Sequence, residues 1–150
     1  PNTLQGLYCW ETKLTSLPEL PNSLQWLDCS GNKLDLLPKL PDSLESLLCY
    51  RNQLTSLSEL PKLLCGLLCS DNKLTSLPEL PNTLTELYCN NNQLTSLPEL
   101  SVSLEELGCN NNKLTSLPNS LIQCSHLFVI EYENNEIKNI PPHIMKFIKK

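Results

Sequence analysis

Histidine is almost missing from this sequence: His126 and His143 are the only two. That leaves little for chemistry that needs a general base or an imidazole metal ligand. No zinc-ligand spacing, phosphate-binding glycine loop or serine elbow is present. Phenylalanine also occurs only twice, so large aromatics do not fill a globular jigsaw of a core. No run approaches the roughly 20 apolar residues of a membrane span, and no secretory signal is visible. Eleven basic residues against sixteen acidic ones give a net charge of −5. This balance argues against a nucleic-acid binder, whose affinity rests on neutralising phosphates. Enzymatic activity, a cofactor, a metal, a small-molecule ligand and a membrane are therefore not expected of this chain.

What the sequence does have is leucine, 35 residues of it, and strict periodicity. Cys9, Cys29, Cys49, Cys69, Cys89 and Cys109 are spaced twenty residues apart. Leu4 to Leu104 and Leu7 to Leu107 keep the same interval, and Asn32, Asn52, Asn72, Asn92 and Asn112 follow in step, with Asn135 in the corresponding place of a further unit. A fixed period of this length marks a repeat array, in which each unit buries its apolar face against its neighbours.

Alternate residues of a strand point the same way, so in L-x-x-L-x-C the side chains of Leu7 and Cys9 face inward while Gly6 and Tyr8 face outward. Stacked units place equivalent strands side by side, roughly 4.8 Å apart, in a parallel sheet. The asparagine stands where the chain turns after the strand, and its amide can satisfy backbone groups left unpaired there. Prolines at Pro18/Pro21, Pro38/Pro41 and Pro78/Pro81 remove donors and hold φ near −65°, so the return side is expected to be extended or polyproline-like. A twenty-residue circuit has little room for helix, and the solenoid is expected to curve.

Written once, the unit is L-x-x-L-x-C-x-x-N-x-L-T-S-L-P-E-L-P-x-S. It resembles the leucine-rich repeat, L-x-x-L-x-L-x-x-N-x-L, with cysteine at the third apolar position. The short period and the L-P-E-L-P tail are most similar to repeats of bacterial effector proteins delivered into host cells. Similar short, cysteine-bearing repeats are found in proteins of giant viruses and intracellular bacteria. The resemblance implies an α/β solenoid: a curved array with a parallel β-sheet on its concave face, a thin extended convex side and a short C-terminal helical cap. Some effectors of this kind append a ubiquitin-ligase domain, which no part of this chain resembles.

Residues 1–117 are read as six twenty-residue repeats, and 118–150 as a longer seventh repeat followed by the cap. From Cys109 to its counterpart Tyr132 the spacing is 23 residues, and Leu121, Cys124 and Leu127 recur at helical spacing. Ile137, Ile140, Ile144, Phe147 and Ile148 suggest a final turn and an amphipathic helix over the open end, with Lys146, Lys149 and Lys150 suiting its dipole. Four of the eleven basic residues lie from Lys138 onward, read as a solvated cap ahead of a membrane or nucleic-acid patch. Pro1 falls in the middle of a repeat, as expected of a fragment.

Eight cysteines could suggest a disulfide scaffold, but six occupy one inward ladder, where cysteine acts as a small buried hydrophobe. In-register parallel neighbours seldom orient Cβ vectors for a disulfide, so free thiols and a reducing compartment are expected. That means the cytoplasm, or a host cell's cytoplasm for an effector or viral protein. Cys65 is the thiol on an outward row. As a nucleophile it lacks a base, since His126 lies three units away at about 5 Å per unit.

Specificity must come from the variable outward rows. One reads Gly6, Trp26, Ser46, Gly66, Glu86, Glu106 and Val129. The next reads Tyr8, Asp28, Leu48, Leu68, Tyr88, Gly108 and Glu131. The third, just after the cysteine, reads Trp10, Ser30, Tyr50, Ser70, Asn90, Asn110 and Glu133. Tyr8, Trp10, Trp26, Leu48, Tyr50, Leu68, Tyr88, Glu86 and Glu106 are the candidate partner-binding residues, because exposed Trp and Tyr are enriched at binding hot spots. Against this stands the reading that the first aromatics cover a missing neighbouring repeat, and that the glutamates form a solvated face. A scaffold for a protein partner is the leading expectation. The substrate-recognition part of an effector ligase and a structural spacer or assembly subunit are the alternatives.

Overall fold

A three-residue strand has no stability of its own, so here the repeat supplies the sheet. The computed structural model describes residues 3–149. Pro1 and Lys150, on which the fragment and helix-dipole expectations partly rested, lie outside the described residues. The strands are β1 Gly6–Tyr8, β2 Trp26–Asp28, β3 Ser46–Leu48, β4 Gly66–Leu68, β5 Glu86–Tyr88, β6 Glu106–Gly108 and β7 Val129–Glu131. They form one sheet in chain order, every pair parallel. Leu7, Leu27, Leu47, Leu67, Leu87, Leu107 and Ile130 stand opposite one another across it.

Beneath the sheet run columns of like residues. Leu24, Leu44, Leu64, Leu84 and Leu104, the cysteines Cys29 to Cys109, and Leu34 to Leu114 are all fully buried. Only the end units fall short: Leu4, Leu7, Cys9 and Leu14 at one end, and Leu127, Ile130, Tyr132 and Ile137 at the other, are partly buried. The difference is what a nearest-neighbour architecture dictates, since a rung is dry only when flanked on both sides.

The asparagine column works as anticipated, and it also joins each unit to the one before. Asn52 Oδ1 accepts from the Leu34 N–H at 3.0 Å, one unit back. Its Nδ2 donates to Cys29 O at 3.0 Å, also one unit back, and to Cys49 O at 3.1 Å in its own unit. The same set recurs at Asn32, Asn72, Asn92, Asn112 and Asn135. Immediately before the asparagine the chain enters the left-handed region: Arg51, Asp71, Asn91, Asn111 and Asn134 have φ of 54–56° and Gly31 has 64°, and Glu11, before Thr12 in the first unit, has 52°. This turn swings the asparagine side chain into the interior at some backbone cost for every non-glycine residue.

On the convex side the L-P-E-L-P segments carry neither helix nor strand. The chain returns to the sheet through tight turns such as Leu24 N–H to Pro21 O, 3.1 Å. In the seventh circuit the extra residues form a 3₁₀ helix, Asn119–Gln123. Leu121 and Cys124 are buried there, and Leu127 only partly so. Of the trio only Leu121 lies within the 3₁₀ helix; Cys124 caps it and Leu127 follows in the next turn. α1, Pro142–Ile148, packs against this 3₁₀ helix through buried Ile144. His143 Nε2 stands 3.2 Å from Asn119 Oδ1. The cap thus closes the convex half of the end. Among the described residues, no helix is long and apolar enough to cross a membrane.

Candidate functional site

The parallel register sets every outward side chain beside its counterpart twenty residues away, so the variable rows become columns on one face. Tyr8, Trp10 and Trp26 are exposed there, at 67%, 56% and 40%. Leu48, Tyr50, Leu68 and Tyr88 are half-buried, Glu86 is exposed and Glu106 is half-buried. The nine candidate residues therefore share one continuous face, with the aromatics concentrated over β1–β3.

In the middle of the face the side chains are small or missing, at half-buried Ser46 and at Gly66, which is itself buried. A Cβ at Gly66 would find Ser46 Oγ at 3.6 Å and Glu86 Oε2 at 3.9 Å, so a side chain would fit where none is carried. Gly108 is different. A Cβ there would lie 2.6 Å from the Tyr88 ring and 2.8 Å from Asn90 Nδ2. The missing side chain lets Tyr88 lie across the neighbouring strand, where its phenolic O–H donates to Glu106 Oε2. That hydrogen bond, helped by desolvation and by the charges of Glu106, Glu131 and Glu86, pushes the Tyr88 phenol up to about 12. Glu131 in turn accepts from Asn110 Nδ2 at 3.2 Å.

A second ladder of side chains lies in the row after the cysteine, and the repeat pattern did not reveal it. Ser70 Oγ accepts from the Asn90 N–H at 3.1 Å, Asn90 Oδ1 from the Asn110 N–H at 2.7 Å, and Asn110 Oδ1 from the Glu133 N–H at 2.6 Å. Asn90 faces outward but is not idle. The signal was present in the Asn-Asn-Asn runs at 90–92 and 110–112, where the first asparagine looks like a variable residue.

All eight cysteines are free thiols. Burial pushes Cys29, Cys69 and Cys109 up to about 12 and holds Cys49 and Cys89 well above the ordinary thiol value. Cys65 is the exposed one, its Sγ 3.4 Å from Leu63 O. His126 and His143 are also exposed.

A family model described as Leucine Rich Repeat matches residues 23–47 and 83–102. Among solved structures, a Shigella effector LRR domain is 34% identical over 95% of this chain and 64% of its own, with a TM-score of 0.86. YopM from Yersinia pestis is 37% identical over 86% of this chain and 43% of its own, at 0.70. The functional domain of InlJ from Listeria monocytogenes, which includes a cysteine ladder, is 28% identical over 92% of this chain and 32% of its own, at 0.79. This chain thus spans between about a third and two thirds of those three structures. No curated protein sequence matches it significantly.

Proposed function

We propose that this chain, a leucine-rich-repeat protein with twenty-residue units similar to those of bacterial effectors, is a non-catalytic scaffold that binds another protein on its concave sheet. The observation that carries this reading is the exposed aromatic group Tyr8, Trp10 and Trp26, continued by half-buried Leu48, Tyr50 and Leu68. Large apolar side chains held at the surface by a rigid sheet are the usual material of interface hot spots. Glu86, Glu106 and Tyr88 extend the same face. A reducing compartment suits the buried thiol column, and this supports reading the scaffold as cytoplasmic, in a host cell's cytoplasm in the case of an effector. In a second reading, the repeats select the substrate for a catalytic domain carried elsewhere in a longer protein. It rests on the likeness to effector repeats and uses the same face.

The test begins with a partner captured from host-cell lysate. Trp26→Ala and Tyr50→Ala should each weaken its binding by about thirtyfold, the loss of a central hot spot worth roughly 2 kcal/mol. Both variants should keep the parent melting temperature. Glu19→Ala and Glu79→Ala on the convex side should have little effect. Loss of binding in the convex variants, with the aromatic variants unaffected, would place the binding surface elsewhere.

A further inference from the structure

The net charge of the protein resides on its concave face. Of the sixteen acidic residues, five (Asp28, Glu86, Glu106, Glu131 and Glu133) stand on the three outward rows, and none of the eleven basic residues does. The remainder carries eleven acids and eleven bases, so away from this face the chain is neutral. Four of the five acids belong to β5–β7 or the residues just after them, whereas the aromatic side chains gather over β1–β3. The face is therefore polarised along the array, apolar at one end and anionic at the other.

We infer that the occupant of this face is an extended basic polypeptide segment that crosses the strands, with an apolar anchor over Trp26, Leu48 and Tyr50 and arginine or lysine side chains over Glu86, Glu106, Glu131 and Glu133. This deepens the concave-face reading and rests on it. The spacing follows from the sheet. Trp26 to Glu86 is three inter-strand steps, roughly 14 Å, which about four extended residues span. Trp26 to Glu131 is five steps, roughly 24 Å, or about seven residues. Arginine suits the anionic end best. Tyr88 offers a ring face held in place over Gly108, flanked by Glu86 and Glu106, so a guanidinium can stack and pair with carboxylate in one site. Glu106 already accepts from Tyr88 through one oxygen, which leaves the other for the partner.

The probe is a synthetic peptide with Trp and Leu at one end, a spacer of about four small residues and three alternating arginines. Its counterpart has glutamate in place of each arginine. Binding to the 150-residue protein is measured by fluorescence anisotropy between about 50 and 300 mM salt. Two variants carry an identical change in net charge: Glu86, Glu106, Glu131 and Glu133 to Gln on the concave face, and Glu19, Glu59, Glu79 and Glu99 to Gln on the convex side, all four of the latter exposed. The concave variant should lose at least about tenfold in affinity and most of its salt dependence, whereas the convex variant should behave as the parent. The glutamate peptide should bind at least about tenfold more weakly than the arginine peptide. Equal losses in the two variants would reveal non-specific attraction and overturn the inference, as would equal binding of the two peptides or no binding of either. If Trp26→Ala weakens the arginine peptide while the concave Gln variant does not, the charge assignment fails and the concave-face reading survives. If neither concave change matters and the convex one does, both fail.

Discussion

Replacing Asn72 tests the feature on which the stacking depends most. The Asn72 Oδ1 accepts from the Leu54 N–H at 2.9 Å, and its Nδ2 donates to Cys49 O at 3.0 Å, Cys69 O at 3.1 Å and Ser70 O at 3.2 Å. Alanine leaves a backbone donor and two or three carbonyls without partners in a partly buried turn. An orphaned buried donor costs about 1–3 kcal/mol, and carbonyls with a second lone pair add less, so a total near 3 kcal/mol is expected. For a protein whose whole stability is of order 5–15 kcal/mol, that is a large share, and for a chain of this size it lowers the melting temperature by roughly 6–12 °C. Asn72→Asp adds a sharper arm. Aspartate keeps the acceptor for Leu54 but faces Cys49 O and Cys69 O with a carboxylate, so at neutral pH it should be at least as damaging as alanine. Burial against carbonyls raises its folded pKa above the unfolded value, so the folded state binds more protons. Relative to the parent, the variant should regain stability as pH falls through that range. Urea unfolding followed by circular dichroism and tryptophan fluorescence gives the numbers. Asn82→Ala is the control, because that side chain is exposed. A cost below about 0.5 kcal/mol for Asn72→Ala, no larger than an ordinary surface change, would refute the account.

The thiol column sets an alkaline limit. Unfolded thiols ionise near pH 9 while Cys29, Cys69 and Cys109 stay protonated up to about 12, so the folded state binds more protons and stability should fall as pH rises above 9. Replacing those three with alanine should flatten that slope in thermal melts, and an unchanged slope would mean the column is not buried. Gly31→Ala puts a Cβ at φ 64°, 2.8 Å from Glu11 Cγ, and should cost about 1 kcal/mol in urea unfolding; no loss would argue against the left-handed turn. Gly108→Ala should lift Tyr88 off the strand and break its bond to Glu106. Spectrophotometric titration should then show that phenol returning from about 12 toward 10.

The parts of the fold that repeat could be read from the residues. Leu7, Cys9 and their counterparts fixed which face is inside, and the twenty-residue interval fixed the register, because a parallel stack admits only like against like. The asparagine column followed from the need to satisfy a turn. What escaped notice is what occurs once or sits at a variable position. The insertion before Tyr132 shows in the sequence only a helical spacing, and whether it winds as 3₁₀ or α depends on packing against α1 and on the Cys124 thiol reaching Ser101 O at 3.3 Å. Asn90 passed for a free surface residue because its use depends on the backbone of the next unit. The pairing of Tyr88 with Glu106 was hidden as well, since it needs the glycine at 108 two strand positions further on. The concave face was legible as a list of residues, but its polarity of charge emerges only when the rows are placed side by side.

The asparagine bonds give the array a direction in time. Each amide completes the turn of the unit that precedes it: Asn32 serves Leu14 and Cys9, Asn52 serves Leu34 and Cys29, and so on to Asn135, which serves Leu114 and Cys109. A ribosome makes the served unit first. Every newly emerged repeat therefore holds an unfinished turn until its successor has been synthesised, and the nascent chain closes one unit behind its growing end. Loss of the first unit takes the acceptors from the Gln25, Trp26 and Lys33 N–H groups and frees the Asn32 amide, whereas loss of the last also strips the Leu114 N–H and Cys109 O of the amide that served them.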